Sequence, residues 1–358
     1  MTMLATSFLQ DDNFIHVLYI VSFGLFIYGL SGLTGPRTAV RGNRIAAVGM
    51  LIAVVATLLQ PGMGNWGLIV AGVVIGTIVG VPAARNVRMT AMPQMVALFN
   101  GVGGGAVALI AWAEFRNSGG FAHEVGGQAS LPLYVAVFSL FAAIVGSVSF
   151  WGSNIAFAKL QELLPGRPIT LGRAQQLLNG LLLLACIALA VAIASGSRDE
   201  ILFIGILVAA AVLGNFVVLP IGGADMPVVI SLLNAFTGLS AAATGIALNN
   251  TALIVAGMIV GASGTILTNL MAVAMNRSIP SIVAGGFGGG GVTAGASGAG
   301  EHEGTVRSTS AADVAIQLAY ARQVVVVPGY GMAVAQAQHS VREMAKAMNR
   351  SIPAIVAG

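Results

Sequence analysis

Near the carboxyl end, Gly329-Tyr330-Gly331-Met332-Ala333-Val334 follows the β-branched run 324–327 and precedes a helix-prone stretch, 335–347. Strand, glycine turn and helix in that order would let Gly329 turn tightly and let the backbone at Gly331 approach a pyrophosphate. The N–H groups opening the helix would then face the anion. Taken alone, this GxGxx(G/A/V) spacing describes a plain strand-to-helix loop equally well. A second set of polar residues lies in apolar surroundings. The segment Ile221-Gly222-Gly223-Ala224-Asp225-Met226-Pro227 holds the one acid of its part of the chain. Asp225 reads either as a helix-start carboxylate ahead of Pro227 or as a proton gate or docking contact at the mouth of a helix bundle. Asn100 and Asn234 fall deeper in apolar runs, where an amide is costly unless it pairs across helices or wets a pathway. Ser263 and Thr265 add hydroxyls, which can also bond only the carbonyls of their own helix. No His or Cys pair has the spacing of metal ligands, and no residue stands out as a covalent catalyst.

The elements that must position these groups belong in a membrane. Of 358 residues, 57% are hydrophobic and only 8% charged, against roughly a quarter charged in an ordinary soluble domain. The 48 glycines suit helices that approach closely, because lipid supplies no hydrophobic drive for helix association and small residues admit tight contact. Cys186, the single cysteine, lies inside an apolar run and reads as a small core residue. Asp11 and Asp12 precede the first apolar run without a basic region before them, so no cleavable signal peptide is expected. The net charge of +4 calls for no nucleic-acid partner.

Runs close to the ~20 residues a spanning helix needs lie near 14–33, 45–60, 66–84, 92–113, 131–154, 177–195, 201–219, 227–248 and 252–274. With the amino terminus outside, the inward loops would hold Arg37, Arg41, Arg44, Arg85, Arg88, Lys159, Arg167 and Arg173. The outward loops would hold only Arg116 and Arg198. That asymmetry supports nine spans with the carboxyl end in the cytoplasm. The predicted fold class is therefore an all-α polytopic bundle followed by the start of an α/β Rossmann-like nucleotide-binding domain. Residues 1–284 form the transmembrane domain, 285–309 a glycine-rich linker, and 310–358 the opening of the nucleotide domain. An amphipathic helix is expected from Ser310 to Ala321.

Three long segments carry a resemblance. They are Gly222-Gly223-Ala224-Asp225-Met226-Pro227-Val228-Val229; Met275-Asn276-Arg277-Ser278 leading into Ala284-Gly285-Gly286-Phe287-Gly288; and Pro328-Gly329-Tyr330-Gly331-Met332-Ala333-Val334-Ala335-Gln336-Ala337-Gln338. With Met89-Thr90 and Met92-Pro93, they resemble the beta subunit of proton-translocating NAD(P) transhydrogenase. The resemblance covers nearly the whole chain. It implies nine membrane helices and an NADP(H)-binding domain, with NAD(H) on a partner alpha subunit or subunits, in a dimer of alpha–beta units. It further implies the bacterial inner membrane, an amino terminus in the periplasm, and hydride transfer between the nicotinamides coupled to inward proton movement. Carried over by position, Gly329 to Val334 would hold the NADP(H) pyrophosphate. Asp225 and Asn234 would serve the proton path or its coupling, with Asn100 and Ser263 as further candidates by their place in the apolar runs, and Arg277 the hinge between membrane and nucleotide domains.

Two features depart from that pattern. Some members have a membrane histidine where this chain has Asn100, and an amide exchanges no proton near neutral pH. The titrating group would then sit on the partner, or water would carry the proton. The nucleotide domain is expected to be incomplete here, since such a domain needs on the order of 100 residues. Met348 to Gly358 repeats Met275 to Gly285 with one change, Ser281 against Ala354, which reads as a splice, duplication or assembly error rather than a structural repeat. Two other functions fit the same residues: a proton channel or secondary transporter, or an inactive remnant with a vestigial tail.

Overall fold

The computed structural model describes residues 8–121, 131–286, 311–321, 324–326 and 338–347. Their helices are α1 (Asp12–Gly32), α2 (Ala39–Leu58), α3 (Trp66–Asn86), α4 (Met92–Asn117), α5 (Leu133–Leu160), α6 (Arg173–Ala194), α7 (Glu200–Val218), α8 (Met226–Ala247), α9 (Thr251–Ala274), α10 (Ile279–Gly286), α11 (Ala311–Tyr320) and α12 (Gln338–Ala347). Among the described residues, α1 to α9 are long and apolar enough to cross a membrane, in the order expected. Their ends differ where charge misled the hydropathy pattern. Helix α2 starts at Ala39 rather than residue 45, so Arg41 and Arg44 occupy its first two turns instead of a loop. Long basic side chains can keep their heads in water while their stems cover an apolar helix end. Arg173 likewise opens α6, and Lys159 lies in the last turn of α5.

The chain divides into two compact units, Met1–Asn86 with Pro93–Val292, and Val87–Met92 with Thr293–Gly358. In the second, the described residues form a short helical turn at Met89–Ala91, then α11 and α12. The strand expected at 324–327 is not found in its described part. Residues 324–326 adopt neither strand nor helix, and the described residues offer no neighbouring strand with which to pair. Val327 and the Gly329 to Val334 turn lie outside the described residues.

In the first unit, helix contacts are set by glycine. A Cβ built on Gly104 of α4 would sit 3.0 Å from the carbonyl oxygen of Gly146 on α5, and one on Gly146 would sit 2.7 Å from the oxygen of Gly104. A Cβ on Gly238 of α8 would meet the Gly261 nitrogen of α9 at 2.6 Å. These are backbone-to-backbone approaches that no side chain could share. Helix α8 is the most buried of the nine and α3 buries none of its described residues, so α8 is the hub and α3 lies at the edge of this unit.

Helix ends are closed locally. After α8, Asn249 takes φ +53°, its N–H bonding the Ile246 carbonyl while that of Asn250 bonds Gly245. The Asn250 side chain then caps α9 by accepting from the Leu253 N–H at 2.9 Å. The same paired bonds end α9, where Asn276 takes φ +54° and the N–H groups of Asn276 and Arg277 reach Val273 and Ala272. This left-handed cap turns the chain sharply and fixes the direction in which Arg277 leaves the bundle.

Candidate functional site

At the end of the bundle where α5, α7 and α9 finish and α8 starts, Val218, Met226, Val229, Leu233, Ala272 and Ile282 form a buried apolar cluster. Ile282 comes from α10, which Ser278 caps by accepting from the Ser281 N–H at 3.2 Å. The charged groups sit around this cluster. Asp225 ends the helical turn Gly223–Asp225 and occupies the N-cap position of α8, but its carboxylate makes no capping bond. Instead the Arg277 guanidinium donates to Asp225 Oδ2 at 2.5 Å, with side-chain exposures of 16% for Asp225 and 33% for Arg277. The helix-start position expected of Asp225 is found, and its partner is Arg277. Partial burial strengthens a charge-assisted bond, and the guanidinium outcompetes the weaker backbone donors.

Lys159 was expected to be a loop charge, and the structure places it in the interior at 2% exposure. Its ammonium donates to the carbonyls of Leu219, Ile221 (2.8 Å) and Arg167 (3.4 Å). Gln175 of α6 adds a bond from Nε2 to the Phe216 carbonyl at 2.7 Å. The carbonyls that α7 leaves open at its carboxyl end are therefore met by side chains from α5 and α6, and the cation lies at the negative end of the helix dipole. No sequence period marks this arrangement, because the acceptors are backbone atoms, two of them some sixty residues away from Lys159. A lone lysine closing a long apolar run was the available signal.

Deeper in the bundle, Asn100 of α4 pairs across helices as its position suggested. Its Nδ2 donates to Ser153 Oγ at 2.8 Å and to Ser149 Oγ at 3.3 Å, both on α5. Ser149 Oγ is 2.6 Å from Thr237 Oγ1 on α8 and also bonds the Leu233 carbonyl at 3.0 Å. The Asn100 Oδ1 atom is buried and has no partner among the described residues. A separate link joins α8 to α9, where Thr268 Oγ1 donates to Ser231 Oγ at 3.0 Å.

Two expected members stay apart from these contacts. Asn234 is half-buried, and its side chain makes no hydrogen bond to the described residues. Ser263 bonds the Val260 carbonyl and Thr265 the Gly261 carbonyl, both in their own helix. The face of α9 against α8 is instead built from Gly257, Gly261, Gly264 and Thr268, which recur at helical spacing and are buried. Sequence reading missed Ser149, Ser153, Thr237 and Thr268 because a hydroxyl gives no sign of which way its helix is turned. Cys186 is buried, as a small core residue should be.

A family model described as "NAD(P) transhydrogenase beta subunit" matches residues 15–356. A Rhodospirillum rubrum protein named "NAD(P) transhydrogenase subunit beta" is 42% identical over 333 residues, which cover 93% of this chain and 70% of that protein. A second Rhodospirillum rubrum protein of the same name gives the same identity and cover.

Proposed function

This chain belongs to the NAD(P) transhydrogenase beta subunit family, and from that membership we propose how its parts couple hydride transfer to proton movement. The enzyme is an oxidoreductase that passes hydride between NAD(H) and NADP(H) while a proton crosses the membrane, and a beta subunit acts with an alpha subunit. In our reading, residues 1–284 form the proton-translocating domain of the bacterial inner membrane, 285–309 a linker, and 310–358 part of an NADP(H) module on the cytoplasmic side. Gly329, Tyr330, Gly331, Met332, Ala333 and Val334 would cradle the NADP(H) pyrophosphate by backbone N–H groups. NAD(H) would sit on the alpha subunit, in a dimer of alpha–beta units.

The observation that carries the coupling mechanism is the Asp225–Arg277 ion pair. It ties the entry of α8 to the first residues after the last span, on the route to the nucleotide module. A change in bound nucleotide that pulls on the chain after α9 would strain or release this pair, altering which side reaches the mouth of the bundle. Within the membrane, the Asn100–Ser149–Thr237 contacts form the polar lining, and a water accepted at Asn100 Oδ1 would complete it. Asn234 and Ser263 would then act through water or the partner subunit, since neither joins the direct chain.

The test is to co-produce the chain with a matching alpha subunit in membrane vesicles. Reduction of an NAD analogue by NADPH is followed together with internal pH. Coupled hydride and proton movement that falls in Asp225→Asn is expected, whereas an unchanged rate in that variant would remove the ion pair from the mechanism.

A further inference from the structure

We infer that Lys159 is a positioning residue for the coupling pair: a hydrogen-bonding clamp that fixes the α7–α8 connection so that Asp225 meets Arg277. The inference rests on the proposed coupling role of that pair. Its basis is donor and acceptor matching. An ammonium has three donors and no acceptor, while a neutral amine has two donors and a lone pair. Lys159 faces three carbonyl oxygens, from Arg167, Leu219 and Ile221. In a site with 2% exposure, these three carbonyls match the three donors of the ammonium one for one.

What the clamp holds is equally specific. The Gly223 N–H donates to the Gly166 carbonyl at 2.8 Å, and the Ile169 N–H to the Leu219 carbonyl at 3.1 Å. The α5–α6 connection and the α7–α8 connection are thus stitched together on both sides of the Lys159 ammonium. Gly223 and Asp225 share one short helical turn, so the carboxylate position is inherited from this stitched segment. Its other constraint is Arg277 itself. Without the ammonium, the Leu219 and Ile221 carbonyls would turn toward water and carry the turn with them.

Two readouts on the beta chain assembled with an alpha subunit in vesicles test this. The first is amide hydrogen exchange. In Lys159→Met, peptides covering 161–169 and 217–226 should exchange about tenfold faster while α4–α5 and α8–α9 peptides stay protected. Unchanged exchange in 217–226 would overturn the inference whatever Asp225 does. The second is a double-mutant cycle on coupled turnover. Lys159→Met should lower it about tenfold, and adding Asp225→Asn should lower it less than about twofold further, because both act through one contact. Additive losses would show that Lys159 serves only the fold, overturning the inference and leaving the ion pair in place. Should Asp225→Asn alone leave turnover unchanged, the coupling reading fails. A tenfold drop in Lys159→Met would then contradict action through Asp225. If Lys159→Met does not assemble, Lys159→Gln, which keeps two N–H donors, takes both measurements.

Discussion

Polar chemistry is handled in opposite ways at the mouth of the bundle and at its centre. At the mouth, the ions drawn into the structure are met directly: Asp225 by Arg277, and Lys159 by three carbonyls. At the centre there are no ions in the Asn100 cluster, only an amide and hydroxyls, and the valence is left open at Asn100 Oδ1. The difference follows from cost. A charge near the water boundary can be paired with a second charge or with helix-end carbonyls, whereas one at the bilayer centre is heavily penalised. Fixed charge can therefore hold geometry at the mouth, while neutral groups with a spare acceptor leave room at the centre for water that comes and goes.

The harshest way to break this contrast is to separate the helices that make the centre. Gly146→Val places a branched side chain against the Gly104 backbone, where a Cβ alone already comes within 2.7 Å. Neither backbone can yield, so a cost above about 3 kcal/mol is expected. The measurement is the yield of folded protein in membranes; a normal yield would show that α4 and α5 do not pack this closely. At the mouth, Arg277→Gln leaves a largely buried carboxylate without its ion. With Arg277 at 33% exposure, the effect should sit near the lower end of the roughly 3–5 kcal/mol seen for broken buried pairs. Thermal unfolding in detergent reads the stability, and vesicle turnover reads the coupling.

A gentler pair of changes sharpens the account of the centre. Ser149→Ala removes a hydroxyl that bonds Asn100, Thr237 and the Leu233 carbonyl, costing about 1 kcal/mol and slowing proton uptake into vesicles. Ser263→Ala removes one that bonds only Val260 and should leave uptake as it was. Equal effects of the two would erase the distinction between the lined face and the rest of α9.

That distinction also marks where the sequence stops being legible. Spans are readable because a membrane averages hydropathy over some twenty residues, and all nine are found. Asn100 and Asp225 are readable because amides and acids are rare in such runs, whereas Arg277 is reached only through the family resemblance of Met275 to Ser278. The rotation of each helix is not readable, since an all-apolar surface with scattered hydroxyls has no polar face to set it. Hence nothing in the sequence separates Ser263, which bonds its own helix, from Thr268, which bonds across to α8. Lys159 was misplaced for a related reason: its partners are carbonyls, which every residue has.

The smallest expected effect tests the left-handed helix caps, two of which, after α5 and α9, lie at the mouth. Three connections use the same left-handed cap: Asn249 after α8, Asn276 after α9 and Glu162 after α5, at φ +53°, +54° and +60°. At Glu162 the paired bonds run from its own N–H to the Lys159 carbonyl and from the Leu163 N–H to Ala158, so this cap closes the turn that carries the buried lysine. The left-handed conformation is unfavourable for most L-residues, but asparagine adopts it readily. Glutamate has no such excuse, and its side chain is exposed, with no hydrogen bond that would compensate. Glu162→Asn should therefore stabilise the protein by about 0.5 kcal/mol without glycine's entropic cost in the unfolded chain. Asn276→Ala should destabilise it by about 1 kcal/mol and, unlike any change at Glu162, loosen the exit along which Arg277 reaches Asp225. Thermal unfolding of the two variants, compared with their coupled turnover, separates the effects. Should Asn276→Ala lose stability while turnover holds, the cap would be shown to end a helix and nothing more, and the aim of Arg277 would have to come from α10.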